Sequence, residues 1–242
     1  MLITSINNEK IKNLSKLNIK KYRDEEKKFL VEGDHLVSEA IKTNNLLELF
    51  VLEGKEYNFP NIPLTYVTKE VLKKLSEQDS STDIIGVCSY INNNDLSDKL
   101  IIFDGLQDPG NVGTIIRSAA AFGYSVILGD NTVDIYNSKT IRSTEGMLFN
   151  VSFLKTNIKE FINSHDEYKY LIADMHKGCS SKELKNINKP AIIVGNEGNG
   201  ISGDLRNMNI DYVHINQNDK CESLNVGVAA SILMYELGDI HE

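Results

Sequence analysis

Tryptophan is absent from the 242 residues, which by itself excludes nothing. Cysteine is scarce: Cys88, Cys179 and Cys221 are odd in number and form no C-x-x-C pair. That argues against a disulfide framework and against a thiolate zinc site, and it fits a reduced, cytoplasmic setting. No stretch approaches the ~20 apolar residues that a membrane span requires, so no membrane association is expected. The opening residues, MLITSINNEKIKN, lack the charged-then-apolar layout of a secretory signal. Internal repeats and low-complexity tracts are missing too. The strand–loop–helix stretch at 104–123, DGLQDPGNVGTIIRSAAAFG, contains no G-x-G-x-x-G and no G-K-[ST], so it is neither a dinucleotide fingerprint nor a Walker loop.

What is present is a globular composition, 41% apolar, with a net charge of −8. An acidic chain does not coat nucleic acid indiscriminately. The charge is uneven, however. Residues 1–30 carry eight basic side chains (Lys10, Lys12, Lys16, Lys20, Lys21, Arg23, Lys27 and Lys28) against four acids. Such a face can meet phosphate, with a solvated surface helix as the plainer alternative.

The chain reads as two halves. A polar, Asn/Asp-rich segment at 91–99, INNNDLSDK, separates them as a linker does. Before it, helix patterns at about 7–17 and 34–43 and strand-like runs FLVEG, LLELFVLEG and PLTYVT precede a helix at KEVLKKLSEQ and a strand at IIGVCSY. This predicts a small α/β module over 1–92. After it, LIIFD, YSVILG, YKYLIAD, AIIVG and YVHIN alternate with helix patterns over 98–242. These runs are apolar throughout, which predicts strands of a parallel sheet buried on both faces. Ligands of such sheets bind beyond the carboxyl ends of the strands.

Four segments follow strand ends. In DGLQDPGNVGTIIRSAAAFG, residues Val112, Ile115, Ile116, Ala119 and Ala120 form a buried helix stripe. Asp108 or Asn111 can cap the helix, Pro109 suits its first turn and Gly123 its stop. Gly110, Gly113, Thr114, Arg117 and Ala121 lie on a bare face, with Arg117 as its one projecting donor. In AIIVGNEGNGIS, Gly195, Gly198 and Gly200 around Glu197 imply a tight bend with backbone N–H groups open to a ligand. The plain alternative is a sharp turn, with Glu197 serving the next helix. In CESLNVGVAASILMYELG, Ser223 can cap a long apolar helix ended by Gly238. Asn225 is then a buried or half-buried polar group in its first turn and needs partners. Ser223 lacks the G-x-S-x-G elbow of a hydrolase. In NSKTIRSTEGMLF, Lys139 and Arg142 share a helix face, either solvated or in contact with phosphate. The five histidines show no partnering.

In this order and spacing, the segments resemble the three motifs of the SpoU (TrmH) family of RNA ribose 2′-O-methyltransferases, within the SPOUT superfamily. The resemblance rests on Asn111 and Arg117, on Gly195 and Glu197, and on Ser223, Leu224 and Asn225. The N-terminal half, through FLVEGDHLVSEAI and IIGVCSY, resembles the family's L30e-like substrate-binding domain. The resemblance implies an S-adenosylmethionine enzyme with a trefoil knot in its parallel-sheet C-terminal domain. It also implies Gly195, Ile215 and Leu224 along the cofactor, and a homodimer that brings Arg117 to the partner's cofactor. Catalytic work falls to Arg117, Asn111, Glu197, Ser223 and Asn225, and RNA contact to Arg142, Lys139, Lys12, Lys16, Lys20 and Lys21. No metal is expected, because the sulfonium is itself a good leaving group. Two departures stand out. Asn216-Gln217 follows Ile215 where many relatives carry Pro-Met, and Glu145 stands where a small or apolar residue is usual. The expected substrate is structured RNA, 23S rRNA above tRNA. A non-catalytic RNA-binding member of the fold is the rival from another class, and the intact motif residues argue against it.

Overall fold

The computed structural model describes residues 1–57, 59, 61–78, 82–91, 95–184, 187–218, 220 and 222–238. Cys221, His241 and the middle of the 91–99 segment lie outside the described residues. The chain divides into two compact units, Met1–Asn92 with Tyr136–Phe149, and Asn93–Ile135 with Asn150–Glu242.

The first unit holds β1 (Leu2–Ile3), α1 (Glu9–Ser15), α2 (Lys20–Glu26), β2 (Lys28–Glu32), α3 (Asp34–Lys42), β3 (Leu46–Leu52), β4 (Leu64–Val67), α4 (Lys69–Leu75) and β5 (Ile84–Ser89). The sheet order is β1-β4-β3-β5-β2. β5 runs antiparallel to β2 and β3, and the other pairs are parallel. Asn8 caps α1 by accepting from the Lys10 N–H. Ile11 and Leu17 then meet Val71, Leu72 and Leu75 of α4 over Phe50, Ile85 and Val87. α2 was not legible as a helix, because KKYRDEE has no apolar stripe. Its anchor is Arg23, which is buried and donates to the Leu17 carbonyl at 2.7 Å. Arg23 therefore leaves the basic surface: its stem packs inward and its charge is met by a carbonyl.

The second unit opens with β6 (Leu100–Asp104), α5 (Pro109–Phe122) and β7 (Ser125–Leu128). The chain then contributes α6 (Ser138–Ser143) to the first unit before β8 (Phe153–Lys155), α7 (Ile158–Ser164), β9 (Lys169–Ala173), β10 (Cys179–Ser180), β11 (Pro190–Gly195), α8 (Gly203–Arg206), β12 (Asp211–His214) and α9 (Val226–Leu237). Within the first unit, Tyr136 stacks on Tyr90 with centroids 3.9 Å apart, and both Tyr136 and Phe149 lie against Phe29.

The seven strands of the second sheet run in the order β10-β12-β9-β11-β6-β7-β8, every pair parallel. The expectation of strands covered on both faces holds at the centre of the sheet, where Leu100, Ile101, Ile102 and Phe103 are fully buried, as are Ala191, Ile192 and Ile193, but not at β12, where Asp211 is exposed and only Val213 is buried. Alternate residues of each strand serve opposite faces. Leu100, Ile102, Ala191 and Ile193 join Phe161 and Ile162 of α7 in one cluster. β12, β9 and β11 are neighbours, so their carboxyl ends open on one side of the sheet.

α5 follows its predicted pattern. Asp108 caps it by accepting from the Asn111 N–H at 2.8 Å, Pro109 sits in the first turn, and Gly123 ends it at φ +72°. Val112, Ile115, Ile116 and Ala119 of the expected stripe are buried, and Ala120 is only half-buried. Gly113 is buried as well and so belongs to the packed face, whereas Thr114, Arg117 and Ala121 are exposed. α9 packs along α5, with a Ser118–Ser231 hydroxyl contact of 2.6 Å between them. Ser223 does not cap α9. Asn225 does, its Oδ1 accepting from the N–H groups of Gly227 and Val228 at 2.9 and 3.3 Å.

Candidate functional site

A cavity of about 670 Å³ opens beyond the carboxyl ends of β9, β11 and β12, beside the start of α9. Its lining includes Asn111, Gly195, Glu197, Ile215, Ser223, Leu224 and Asn225. Eight positions were singled out as catalytic or cofactor-lining, and these seven converge on one space. Arg117 is the exception. It lies two turns along α5 from Asn111, does not line the cavity, is exposed, and forms no hydrogen bond or ion pair among the described residues.

Three segments are locked together by a chain of amides. Asn225 Nδ2 donates to Asn111 Oδ1 at 2.8 Å, and Asn111 Nδ2 donates to Glu197 Oε1 at 3.1 Å. Glu197 also accepts from the backbone N–H groups of Gln107 and Asp108 at 3.3 and 3.2 Å. Glu197 therefore holds the 105–108 loop and the Asn111 amide rather than the next helix. Asn225 is exposed rather than buried or half-buried. Its partners are the helix it caps and Asn111.

Burial works against the charged form of Glu197. The donors around it, from the backbone and from Asn111, outweigh that and hold its carboxyl below the ordinary value of 4.5. A lowered folded-state pKa contributes stability that is present above the ordinary carboxylate range and is lost as pH falls through the folded value. Glu197→Gln should therefore melt below the wild type at neutral pH, and the two melting curves should converge in acid. A gap that stays constant with pH would mean that the charge of Glu197 does not matter to the loop.

The glycine turn differs from expectation. Its N–H groups are largely consumed within the turn: Gly198 and Asn199 donate to Asn196 Oδ1, and Gly200 donates to the Asn196 carbonyl at 2.8 Å. Asn196 Nδ2 donates to the Gly105 carbonyl. The turn is thus a prefolded wall rather than an open nest of donors. Gly195 is required by close approach. A Cβ there would lie 2.5 Å from the Gly200 carbonyl carbon and 2.7 Å from the Ile201 nitrogen.

Of the two departures noted in the sequence, Gln217 lines the cavity and Asn216 does not. Glu145 adopts φ +47° on the first unit, where its carbonyl meets His35 Nε2 at 3.0 Å. Lys12, Lys16, Lys20, Lys21 and Lys139 are exposed. Lys16 donates to Asn13 Oδ1, and Lys21 lies 4.0 Å from Glu25. Arg142 is half-buried, with one guanidinium nitrogen buried and unpartnered among the described residues. All six of these positions belong to the first unit. Sequence reasoning missed the wall formed by Ala173, Asp174 and Met175. The available signal was position alone: they end a parallel strand, where ligands of such sheets bind. Among the described residues, no group of three or more His, Cys, Asp or Glu side chains is arranged to hold a metal ion, and no helix is long and apolar enough to cross a membrane.

Residues 98–235 match the model of the SpoU rRNA Methylase family, and residues 8–86 match an MRM3-like substrate binding domain. A Bacillus subtilis protein, 23S rRNA (guanosine(2553)-2′-O)-methyltransferase RlmP, is 33% identical over 97% of this chain and 98% of its own. The solved structure of an RNA 2′-O ribose methyltransferase aligns over 98% of both chains at 29% identity with a TM-score of 0.79. An S-adenosylmethionine-bound rRNA methyltransferase from Sinorhizobium meliloti shares the fold at 23% identity and a TM-score of 0.84.

Proposed function

The chain belongs to the SpoU rRNA methylase family, and on that premise we propose that it transfers a methyl group from S-adenosylmethionine to a ribose 2′-hydroxyl of ribosomal RNA, most simply 23S rRNA. The observation that carries this reading is the convergence of Gly195, Ile215, Leu224, Ser223, Asn225, Asn111 and Glu197 on one cavity at the carboxyl ends of parallel strands. The cavity fits the cofactor. Its size lies in the range of small-molecule sites. Ile215, Leu224, Val226 and Leu233 offer apolar wall to a base and a carbon chain, while Gln217, Ser223 and Asn225 offer polar groups.

When bound, S-adenosylmethionine supplies a methyl group on a sulfonium, a leaving group that departs neutral. The protein's residues do the rest. Gly195 and the turn after it shape the cofactor wall. Glu197 fixes the 105–108 loop and the Asn111 amide, and Asn225 fixes that amide from the other side. Ser223, beside Asn225, serves to position the ribose. As the 2′-oxygen bonds to the methyl carbon the C–S bond breaks and the hydroxyl proton passes to solvent water; where proton loss runs ahead of C–O bonding, negative charge develops on the oxygen. A guanidinium meets that need by stabilising the oxygen and clamping the neighbouring phosphate. Arginine almost never gives up its proton, so the clamp suits Arg117 better than the role of base.

Arg117 reaches such a site in a homodimer. Val228, Ile232 and Tyr235 form a stripe along α9 that leaves Val228 45% and Tyr235 63% exposed, on a helix packed against α5, where Phe122 meets Tyr235. Covering that stripe with a second copy offsets its exposure. Sedimentation at micromolar concentration should give a dimer, and a stable monomer would remove the cross-subunit role. Family membership further supports a trefoil knot in the second unit and a cytoplasmic setting.

Two binding results are expected. S-adenosylmethionine should bind the RNA-free protein, with the same affinity in the presence of a chelator. A metal requirement in calorimetry would contradict the cavity's chemistry. The exposed lysines Lys12, Lys16, Lys20 and Lys21, with Lys139 and Arg142, set RNA affinity on the first unit. Neutralising the four N-terminal lysines should weaken RNA binding and lower its salt slope by about one unit per lost phosphate contact, leaving cofactor binding alone. Unchanged RNA affinity would make that stretch a solvated face.

A further inference from the structure

The wall formed by Ala173, Asp174 and Met175 carries one of the two carboxylates that line the cavity among the described residues. The other, Glu197, is taken up by the donors of Gln107, Asp108 and Asn111. Asp174 is differently placed. It follows β9 directly, and its own N–H donates to the Val213 carbonyl at 3.0 Å. Its Oδ1 accepts from the N–H groups of His176 and Lys177, each at 3.0 Å. The loop is then pinned at Gly178, which sits at φ +81° with its Cα so close to β12 that a Cβ would fall 1.8 Å from the Tyr212 carbonyl oxygen. Among the described residues, no side chain donates to the Asp174 carboxylate and no ion pair engages it. Burial works against its charge, but the N–H groups of His176 and Lys177 and the Lys177 ammonium outweigh that and keep the carboxyl below its ordinary value. Asp174 is a rigid, ionised acceptor on the cavity wall, with capacity to spare.

A carboxylate accepts only, so it meets donors of the ligand. S-adenosylmethionine offers two sets, the adjacent ribose hydroxyls and the ammonium of its amino-acid arm. The charge of Asp174 already faces two N–H dipoles and Lys177, which reduces what a further cation gains. A hydroxyl pair asks only for acceptor geometry, and an acidic side chain at the end of a parallel strand can supply it to a nucleoside ribose. We propose that Asp174 accepts hydrogen bonds from the ribose cis-diol of the cofactor. This assignment rests on the cofactor reading of the cavity given above.

The test is calorimetry on the full-length protein with 5′-methylthioadenosine, which keeps the nucleoside and lacks the amino-acid arm, its 2′-deoxy analogue, and S-adenosylhomocysteine. Asp174→Asn retains Oδ1 for the His176 and Lys177 N–H groups, so the loop should hold. The variant should bind methylthioadenosine and S-adenosylhomocysteine roughly 10- to 100-fold more weakly, the range for hydrogen bonds to a charged group. The deoxy analogue should lose a similar factor on the wild type, and the variant should add little to that loss. A variant that weakens S-adenosylhomocysteine but not methylthioadenosine would assign Asp174 to the ammonium and overturn the proposal. So would unchanged binding of all three ligands. Should the variant fail to fold, the wild type still decides: equal affinity for methylthioadenosine and its deoxy analogue overturns the diol contact. A wild type that binds none of the ligands overturns the cofactor reading itself, a result distinct from the others.

Discussion

Arg117→Ala is expected to slow methyl transfer at least ~10²-fold while leaving S-adenosylmethionine affinity nearly unchanged. Arg117 is exposed, lies outside the cavity and bonds to nothing among the described residues, so its truncation disturbs neither the packing of α5 nor the cofactor wall. An effect confined to the rate then reports an interaction made in the transition state. Arg117→Lys divides the two roles open to the residue. Lysine keeps the charge and loses the planar fork, so a phosphate clamp is rescued only in part. A base would behave otherwise: lysine's lower pKa would preserve activity and move the pH optimum. Single-turnover rates of the three proteins between about pH 6 and about pH 10 make the comparison, a span that brackets the lysine titration from below. An alanine variant at the wild-type rate would reduce Arg117 to a surface group.

Gly195→Ala should weaken cofactor binding by roughly 10- to 100-fold, whereas Gly198→Ala, three residues along the same turn, should do almost nothing. The contrast follows from what each new Cβ meets. At Gly195 it meets Gly200 and Ile201 backbone atoms at 2.5 to 2.7 Å, and backbone held by the Asn196–Gly200 bridge cannot step aside. Overpacking of this kind costs about 1–3 kcal/mol. The displaced turn carries Glu197, and with it the 105–108 loop and the orientation of Asn111. At Gly198 the nearest atom is Asn196 Oδ1 at 3.6 Å, an ordinary contact, and Gly198 does not have positive φ. Equal losses at both positions would mean that the turn is sensitive to any substitution, and close approach at Gly195 would cease to be the explanation.

The parallel sheet was legible because its strands are apolar on both faces, a pattern that solvated antiparallel strands do not show. α5 was legible because its stripe, its Asp108 cap and its Gly123 stop agree. The three motif segments could be placed together because strand ends of one sheet share an edge. Other features depend on partners that no local pattern specifies. β8 and β10 are three and two residues long and exist only as additions to an edge. α2 is held by the single buried Arg23. The cap of α9 is Asn225, two residues beyond the expected Ser223, because the run CESLNVG does not specify where the chain enters the helix. The donors of the glycine turn are not free because the Asn196 side chain takes two of them, a pairing that the glycine spacing does not reveal. Asp174 was passed over because an acid at the end of an apolar run is common, and only the cavity beside it makes it unusual.

Methyl transfer to ribosomal RNA is tested by a map of ribose 2′-O-methylation across 23S rRNA from cells with and without the gene. One rRNA ribose is expected to lose its methyl group in the deletion and to regain it when the wild-type protein is restored, but not when the Arg117→Ala protein is. An unchanged rRNA map would contradict that expectation, and the loss of a tRNA methyl group instead would move the substrate to the other class of structured RNA.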